Sequence, residues 1–391
     1  KYIPKASRSF AASKFKTLLD TLVSNPENLE GWRQLMLFPY YCFGVKERGG
    51  KRHRSSLATK VNKSLLDFPN PNTEVRPVKP VNARKKKFTH ASDIENLAAR
   101  VSAKIEEGDT RGAVRLAASN DTLAPFNDAT VAALHQLHPP RALPVNSAQQ
   151  SPPEPDSNNA RSLAVTLIDE DIIGAIRSFP AGSAGGLDDL RPQHLKDMTN
   201  SFTGMDGCQL IASLADFANM CLAGRVRLTV RPVFYGASLC ALSKKGGGVR
   251  PIAVGSTLRR LVAKAACRVV TGPVTAKLAP SQLGFGVQQG AEAAVHSART
   301  FLNNIGNGQA LLKIDFSNAF NTLSRNEMLS VIQNELPELY PFISSCYSDS
   351  SFLRFGHYTL MSEEGPQQGD PLGPLLFCLT VMQLVKRIKS Q

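Results

Sequence analysis

The sequence predicts an α+β fold that follows a helical, basic amino-terminal extension. Apolar residues recur at helical spacing within residues 13–38 and again within residues 92–137. Two strand-like segments flank a glycine-rich turn between residues 239 and 252. The apolar run at residues 310–314 predicts a further, buried strand, which a helical pattern follows near residues 327–334.

The first 90 residues predict a basic extension that is partly disordered. Helices are expected at Lys14–Val23 and Glu30–Phe38, on either side of the helix breaker Asn25-Pro26. Residues 49–88 are basic, rich in Pro and Asn, and lack hydrophobic periodicity, which is typical of a flexible linker.

A small helical unit is predicted at residues 91–138. Its first helix begins near Ser92, a candidate N-cap with Glu95 three residues later, and helices at Thr110–Ala118 and Asp128–Leu137 follow. Residues 139–160 are rich in Pro, Ser, Asn and Gln, so they predict a linker and the principal domain boundary.

The positive charge of the chain is concentrated in its first 90 residues. They hold 19 of the 46 Lys and Arg but only 6 of the 32 Asp and Glu, a net charge of +13 out of +14. Such clusters neutralise phosphates and release counterions, so nucleic-acid binding is predicted, and a solvated tail or a nuclear-import signal is the alternative. The predicted contacts are Lys51, Arg52, Arg54, Arg84, Lys85, Lys86 and Lys87.

Cysteine spacing and hydropathy favour a soluble intracellular protein. The seven cysteines include no C-x-x-C pair, which argues against a disulfide framework or a zinc ribbon. No secretory signal opens the chain, and the apolar run at residues 374–385 is too short and too polar to span a bilayer. The chain starts at Lys1 and stops at Gln391 within a helix-like stretch, so both ends are expected to be cut.

Asp315 is the strongest candidate for metal chemistry. It follows the predicted strand at residues 310–314, and a carboxylate at a strand end is well placed to hold Mg²⁺, a hard cation that prefers oxygen ligands. Two such ions clamp the attacking and leaving oxygens of a phosphoryl transfer. The alternative is an ordinary turn or helix-capping aspartate.

Two further segments suit a phosphorylated ligand. In residues 364–377, glycines and prolines around Gln367, Gln368 and Asp370 predict a tight turn that lets the backbone approach a ligand. In residues 239–252, Lys and Arg lie on the stems of a glycine hairpin, where they suit the phosphates of a nucleotide.

Residues 160–391 resemble the reverse transcriptases of non-LTR retrotransposons. A fingers motif (residues 244–252), palm motif A (315–321) and palm motif B (365–377) occur in the family's order. Residues 182–195 and 281–286 resemble the family's fingers turn and its template-side motif. The resemblance implies a right-hand polymerase fold, with fingers at residues 161–304 and a partial palm at residues 305–391.

The resemblance also implies roles for individual residues. Asp315 and the backbone carbonyl of Phe316 correspond to metal ligands. Phe320 occupies the position of an aromatic gate that excludes a ribose 2′-OH, although a core aromatic is the alternative at this position. Gln368 and Gly369 match a pair that contacts nucleotide and template. Arg250 and either Lys244 or Lys245 match the ligands of the triphosphate.

The implied reaction is RNA-directed DNA synthesis by a nuclear enzyme. It uses an RNA template, a DNA primer, dNTPs and two Mg²⁺ ions. The family's motif C, which supplies further metal-binding aspartates, is not found, and Asp188-Asp189 precedes the flap and cannot replace it. We therefore expect a fragment without a thumb and inactive by itself. The alternatives are a non-catalytic nucleic-acid-binding remnant and an RNA-dependent RNA polymerase, which Phe320 disfavours.

Overall fold

A computed structural model of the chain gives the positions of most residues. For residues 90–96, 100 and 111 only the backbone is described. The described ranges are residues 2–44, 56–68, 90–106, 108, 110–118, 122–142, 165–244 and 246–390.

Helices make up most of the described structure, as the periodicity predicts. The helices that precede the sheet are α1 (Arg8–Ser24), α2 (Leu29–Phe43), α3 (Leu57–Asp67), α4 (His90–Glu106), α5 (Thr110–Ala118), α6 (Asp128–Leu137), α7 (Asp169–Ser178), α8 (Pro192–Met198), α9 (Gly204–Leu222) and α10 (Arg231–Phe234). The later helices are α11 (Thr257–Leu278), α12 (Gly290–Asn303), α13 (Ala319–Thr322), α14 (Arg325–Glu335), α15 (Tyr340–Tyr347) and α16 (Gly373–Lys389). Short 3-10 turns occur at Lys5–Ser7, Ser201–Thr203, Leu228–Val230 and Pro337–Leu339.

One four-stranded mixed sheet lies among these helices. Its strands are β1 (Ala237–Ser243), β2 (Val249–Gly255), β3 (Ser351–Phe355) and β4 (Tyr358–Ser362), in the order β2-β1-β3-β4. The pairs β1–β2 and β3–β4 are antiparallel hairpins, and β1 runs parallel to β3. The small mixed sheet and the many helices confirm the α+β class.

The amino-terminal helices pack into the same large core as the helices around the sheet. Trp32 of α2 is fully buried against Phe217 of α9 and Phe234 of α10, with ring centroids 5.8 and 5.1 Å apart. Ile3 and Arg8 are tied to Asp197, which accepts from the Ile3 amide at 2.8 Å and pairs with the Arg8 guanidinium at 2.8 Å. Residues 2–44 therefore pack as part of a folded body.

The sheet has a smaller core of its own, which α6 covers. Val131 and Leu134 of α6 are buried against β1 and β2. The segment before α6 extends the sheet, because Leu123 bridges Leu242 and the Ala124 amide donates to the Ala241 carbonyl at 2.9 Å. Although α6 directly precedes the predicted linker, it packs with the sheet that follows that linker. The predicted division of the chain into units stays a prediction.

Two local predictions were wrong. The flexible linker predicted at residues 49–88 is wrong for residues 57–67, which form α3 and bury Val61 and Leu65 on one helical face at i and i+4. Residues 49–55 and 69–88 lie outside the described part of the chain. Residues 310–314 were expected to form a buried strand but are irregular and exposed, with Leu312 79% and Ile314 61% exposed. Composition predicts a strand there, but a strand forms only with a hydrogen-bonded neighbour, and the described sheet provides none for this run.

Candidate nucleotide-binding site

The predicted glycine flap is a regular β-hairpin. Leu242 of β1 pairs with Arg250 of β2. At the turn, the Lys244 amide donates to the Gly248 carbonyl at 3.0 Å, and Gly248 has a φ of +83°, which glycine adopts at little cost. Lys244 and Arg250 are both exposed. The hairpin therefore presents both cations to solvent, as predicted.

The Gln368-Gly369 turn docks on the outer edge of β2. The Ala253 amide donates to the Gln368 carbonyl at 2.8 Å. Gly369 has a φ of +131°, and a Cβ at this position would lie 2.3 Å from the Ala253 carbonyl oxygen. This contact requires a residue without a side chain. The contact between the turn and β2 also fixes Gln368 beside the flap. Pro251 is tolerated in β2 because β2 is an edge strand of the sheet.

Phe320 lies in the short helix α13, opposite the flap. Its ring stacks on Phe377 of α16, with centroids 5.3 Å apart and planes 7° from parallel. The ring also packs closely on Gly373, where a Cβ would lie 3.1 Å from a ring carbon. Phe320 is half-buried, so it is partly a packing residue and partly a wall of the adjacent cavity.

These segments enclose a cavity of about 250 Å³. Four predicted site residues line it, although they come from three distant parts of the sequence. The lining residues are Leu137, Lys244, Val249, Arg250, Pro251, Asn318, Ala319, Phe320 and Gln368. Cations on one wall and an aromatic ring on another suit a ligand with phosphates and a sugar or base.

The far wall of the cavity includes residues that the sequence did not single out. Leu137 ends α6, and its carbonyl accepts from the Asn318 side-chain amide at 2.9 Å. Asn318 has a left-handed φ of +53° and also accepts from Asn321 at 3.1 Å. Asparagine tolerates this conformation better than most residues, so Asn318 within motif A was a recognisable turn signal. The sequence of α6 contains no signal that its last residue, Leu137, lines the cavity.

Asp315 is not among the lining residues of this cavity. It lies in the irregular segment described above and is exposed, and Phe316 beside it is 50% exposed. Its carboxylate and the Phe316 carbonyl are hard oxygen donors of the kind Mg²⁺ prefers, but they supply only part of an octahedral set. Across the described residues, no three His, Cys, Asp or Glu side chains gather as a metal site.

A buried polar network holds the Gln-Gly turn from behind. Arg259 of α11 pairs with Asp370 at 2.8 Å and donates to the Gln367 side-chain oxygen at 2.5 Å, so it binds both residues that flank Gln368 and Gly369. Tyr347 donates to Asp370 at 2.5 Å and accepts from Arg259 at 3.0 Å. Arg259 and Asp370 have side chains only 2% and 4% exposed. Gln367 and Asp370 are therefore structural residues.

The side chains of this network are held in fixed protonation states. Burial and then the nearby Asp370 carboxylate raise the pKa of Tyr347 well above its ordinary value. Burial alone would lower the pKa of Arg259, but Tyr347 and Asp370 outweigh it, so the net direction is upward. The phenol therefore stays protonated and the guanidinium stays charged at neutral pH.

A second buried arginine fixes the chain before the turn. Arg325 of α14 donates to the Gly365 carbonyl at 3.1 Å and to the Ser362 carbonyl at 2.9 Å. Its backbone amide donates to Glu364 at 2.7 Å, and the other oxygen of Glu364 accepts from the Ala142 amide at 2.9 Å. Burial lowers the pKa of Arg325 to about 10. Arg325 and Glu364 thus join the motif B turn to the start of α14 and to the residues after α6.

The role of Arg259 has only a weak signal in the sequence. Arg259 lies beside Arg260 between Leu258 and Leu261 of α11, and the only local signal is a charged residue on a helix face that is otherwise buried and apolar. Other predicted site residues lie outside the described part of the chain. These are Lys51, Arg52, Arg54, Arg84, Lys85, Lys86, Lys87 and Lys245.

Comparison with known proteins agrees with the geometry. Residues 242–391 match the sequence model of the family described as reverse transcriptase (RNA-dependent DNA polymerase). These matched residues include the flap, Asp315, Phe320 and the Gln-Gly turn. These findings support a reverse transcriptase domain of the non-LTR retrotransposon type at residues 242–391.

A similar protein comes from a retrotransposable element. Over 224 residues the chain is 27% identical to the retrotransposable element SLACS 132 kDa protein of Trypanosoma brucei gambiense. The aligned region covers 55% of this chain but 18% of that protein. The chain therefore spans less than a fifth of this relative.

The reverse transcriptase domain supports RNA-directed DNA polymerase function at the level of the family. Such enzymes act on a nucleic-acid template and primer with nucleotide substrates, and they generally use divalent metal ions. None of the described helices combines the length and apolar character needed to cross a bilayer.

Proposed function

We propose that the cavity between the flap, α13 and the motif B turn binds the incoming dNTP of an RNA-directed DNA polymerase. The observation that carries this proposal is the convergence of Lys244, Arg250, Phe320 and Gln368 on one 250 Å³ cavity. These four residues resemble reverse transcriptase residues by sequence motif, and their position around one cavity supports the proposal.

Each wall of the cavity has a distinct role in this proposal. Arg250 and Lys244, with Lys245 next to it in the sequence, bind the triphosphate, Arg250 through paired hydrogen bonds and the lysines as point charges. Phe320 faces the sugar, and its position against Phe377 and Gly373 keeps the ring from moving away from a 2′-OH. Gln368 and Gly369 contact the nucleotide and the template base.

Asp315 and the Phe316 carbonyl are proposed ligands of catalytic Mg²⁺. Two such ions would orient the primer 3′-OH and the α-phosphate and would stabilise the charge that develops during transfer. Because these two residues supply only part of one coordination shell, we propose that residues 1–391 alone do not extend a primer. The full polymerase would bind an RNA template and a DNA primer beside the cavity. It would act on chromosomal DNA in the nucleus.

Nucleotide binding to residues 1–391 tests the proposal directly. We expect dTTP with Mg²⁺ to bind, and Arg250→Ala to weaken binding about tenfold or more, because charge-assisted hydrogen bonds contribute about 1.5–3 kcal/mol each. The measurement is isothermal titration calorimetry. Arg354→Ala removes a comparable exposed arginine on β3, outside the cavity, and is the matched control.

The same experiment tests the sugar gate. Wild type should bind dTTP more tightly than 5-methyluridine triphosphate, the ribonucleotide with the same base. Phe320→Ala should reduce this preference with little change in dTTP affinity. Equal losses for Arg250→Ala and Arg354→Ala would overturn the triphosphate assignment, and an unchanged preference in Phe320→Ala would overturn the gate. Primer extension by wild-type residues 1–391 would contradict the proposed inactivity.

A non-catalytic nucleic-acid-binding protein is the second candidate. The exposed, irregular segment around Asp315 favours it, because a polymerase needs this carboxylate held rigidly. Under this alternative, nucleic acid binds but dTTP does not. An RNA-dependent RNA polymerase, by contrast, would bind ribonucleotides at least as well as dTTP.

A further inference from the structure

A group of cations surrounds the end of α7, outside the nucleotide cavity. We call it the basic patch. Its members are Arg177, Lys196, Arg260, Lys264 and Arg268. They come from α7, α8 and α11, and none of them lines the cavity.

Specific contacts hold these side chains together. The Arg260 guanidinium and the Lys264 ammonium lie 5.6 and 5.1 Å from the centroid of the Phe179 ring. Lys196 donates to the Phe179 carbonyl at 2.6 Å. Arg268 packs on Gly174, where a Cβ would lie 3.1 Å from its guanidinium. Phe179 is thus the buried centre of the basic patch.

The positive charge of the basic patch is only partly balanced by nearby carboxylates. Within the described ranges, no carboxylate lies within 4.0 Å of any of its five cations. Burial lowers the pKa of Lys264, and the charges of Arg260 and Arg268 lower it further. Asp188 is near Arg260, but burial raises its pKa to about 7, so it offsets only part of the charge.

The arrangement favours a polyanion in an extended form. Arg260, Lys264 and Arg268 follow one another at i, i+4 and i+8 of α11, so they lie along one helix face at steps of about 6 Å. Cations in such a row can contact successive phosphates of one strand. A membrane surface fits less well, because Phe179, the aromatic ring of the basic patch, is only 3% exposed and cannot insert into lipid.

We propose that the basic patch binds the phosphate backbone of a single nucleic-acid strand, at a site separate from the nucleotide cavity. The binding is sequence-independent, because cations pair with phosphates, which carry no sequence information. The inference stands whether or not the cavity binds a dNTP.

Salt-dependent binding of a fluorescein-labelled single-stranded RNA to residues 1–391 tests the proposal. We compare wild type with the double variant Lys264→Gln/Arg268→Gln by fluorescence anisotropy. Each lost phosphate contact should lower the slope of log affinity against log salt by about 0.7, so the double variant should lose about 1.4 in slope and on the order of tenfold in affinity near 0.1 M salt.

Two control variants separate this site from general charge effects. Arg299→Gln/Arg354→Gln removes the same charge from exposed positions on α12 and β3 and should leave the slope near that of wild type. Lys264→Arg/Arg268→Lys keeps the charge and should restore binding. Circular dichroism identifies any variant that fails to fold.

Equal slope changes in the two charge-removing variants would overturn the proposal, because net charge alone would then explain them. An unchanged slope in Lys264→Gln/Arg268→Gln would overturn it as well. In a parallel arm with phosphatidylserine vesicles, binding that this variant abolishes while RNA binding persists would assign the basic patch to lipid instead. Failure of dTTP to bind, with RNA binding at the basic patch retained, would contradict the proposed nucleotide site and leave the RNA-binding proposal supported.

Discussion

The two sides of the candidate site are held in very different ways. On the flap side, Gln368 is joined to β2 through the Ala253 amide, and the buried pair Arg259–Asp370 supports the turn from behind. On the metal side, Asp315 lies in an exposed, irregular segment. Both sides contain equally recognisable motifs. The difference shows that a motif specifies chemistry, whereas its rigidity depends on what the rest of the chain packs behind it.

The largest expected effect comes from removing Arg259. Arg259→Met leaves Asp370 buried without its partner, and breaking a buried pair in this way costs about 3–5 kcal/mol. We expect a loss of that size in the free energy of unfolding, measured by urea denaturation. Asp315→Asn should change stability by less than about 0.5 kcal/mol, since the residue is exposed.

The stabilities of Arg259→Met and Asp315→Asn test whether the flap side is more firmly packed than the segment around Asp315. If Asp315→Asn were as destabilising as Arg259→Met, the segment around Asp315 would be as firmly packed as the flap side. If neither variant changed stability, the buried network would not support the turn. Arg259→Lys retains the charge but not the forked geometry, so it should give an intermediate loss.

A smaller effect is expected at Gly369. Gly369→Ala places a Cβ 2.3 Å from the Ala253 carbonyl at a φ of +131°, so the turn must leave the edge of β2. We expect a loss of about 2 kcal/mol in unfolding free energy and weaker dTTP binding, because Gln368 moves with the turn.

Gly308→Ala is the matched control on the metal side. Gly308 also has a positive φ, +85°, but no atom lies within 4 Å of the added Cβ. Only backbone strain remains, about 1 kcal/mol, and dTTP binding should not change. Equal effects of the two substitutions on dTTP binding would show that the contact with β2 does not position Gln368.

Sequence reasoning succeeded where the structure depends on local patterns. The flap follows from a glycine turn between two strands, and α5 and α6 have the bounds that their periodicity predicts. The predictions were wrong or incomplete where the local structure depends on contacts with residues far away in the sequence. The apolar run before Asp315 predicts a strand only if another strand pairs with it, and α3 required partners for Val61 and Leu65 that composition does not reveal. Arg259 was missed because its acid partner is 111 residues away.

The smallest expected effect concerns the helix that follows the Asp315 segment. Glu335 ends α14 and binds Lys277 of α11 at 2.6 Å and Lys386 of α16 at 2.9 Å. These two hydrogen bonds lower the pKa of Glu335 from 4.5 to about 2. The stabilisation is therefore complete above about pH 4.5 and is lost as the pH falls towards 2.

Glu335→Gln should remove this part of the acid sensitivity. Because the lysines are about half exposed, we expect a difference of less than about 1 kcal/mol between wild type and variant at pH 6, shrinking towards pH 2. The measurement is urea denaturation across that range. Glu27→Gln, at a carboxylate 73% exposed and 3.5 Å from Arg227, should leave the profile unchanged. Identical profiles for wild type and Glu335→Gln would mean that packing alone holds the end of α14 against α11 and α16, without a contribution from the two lysines.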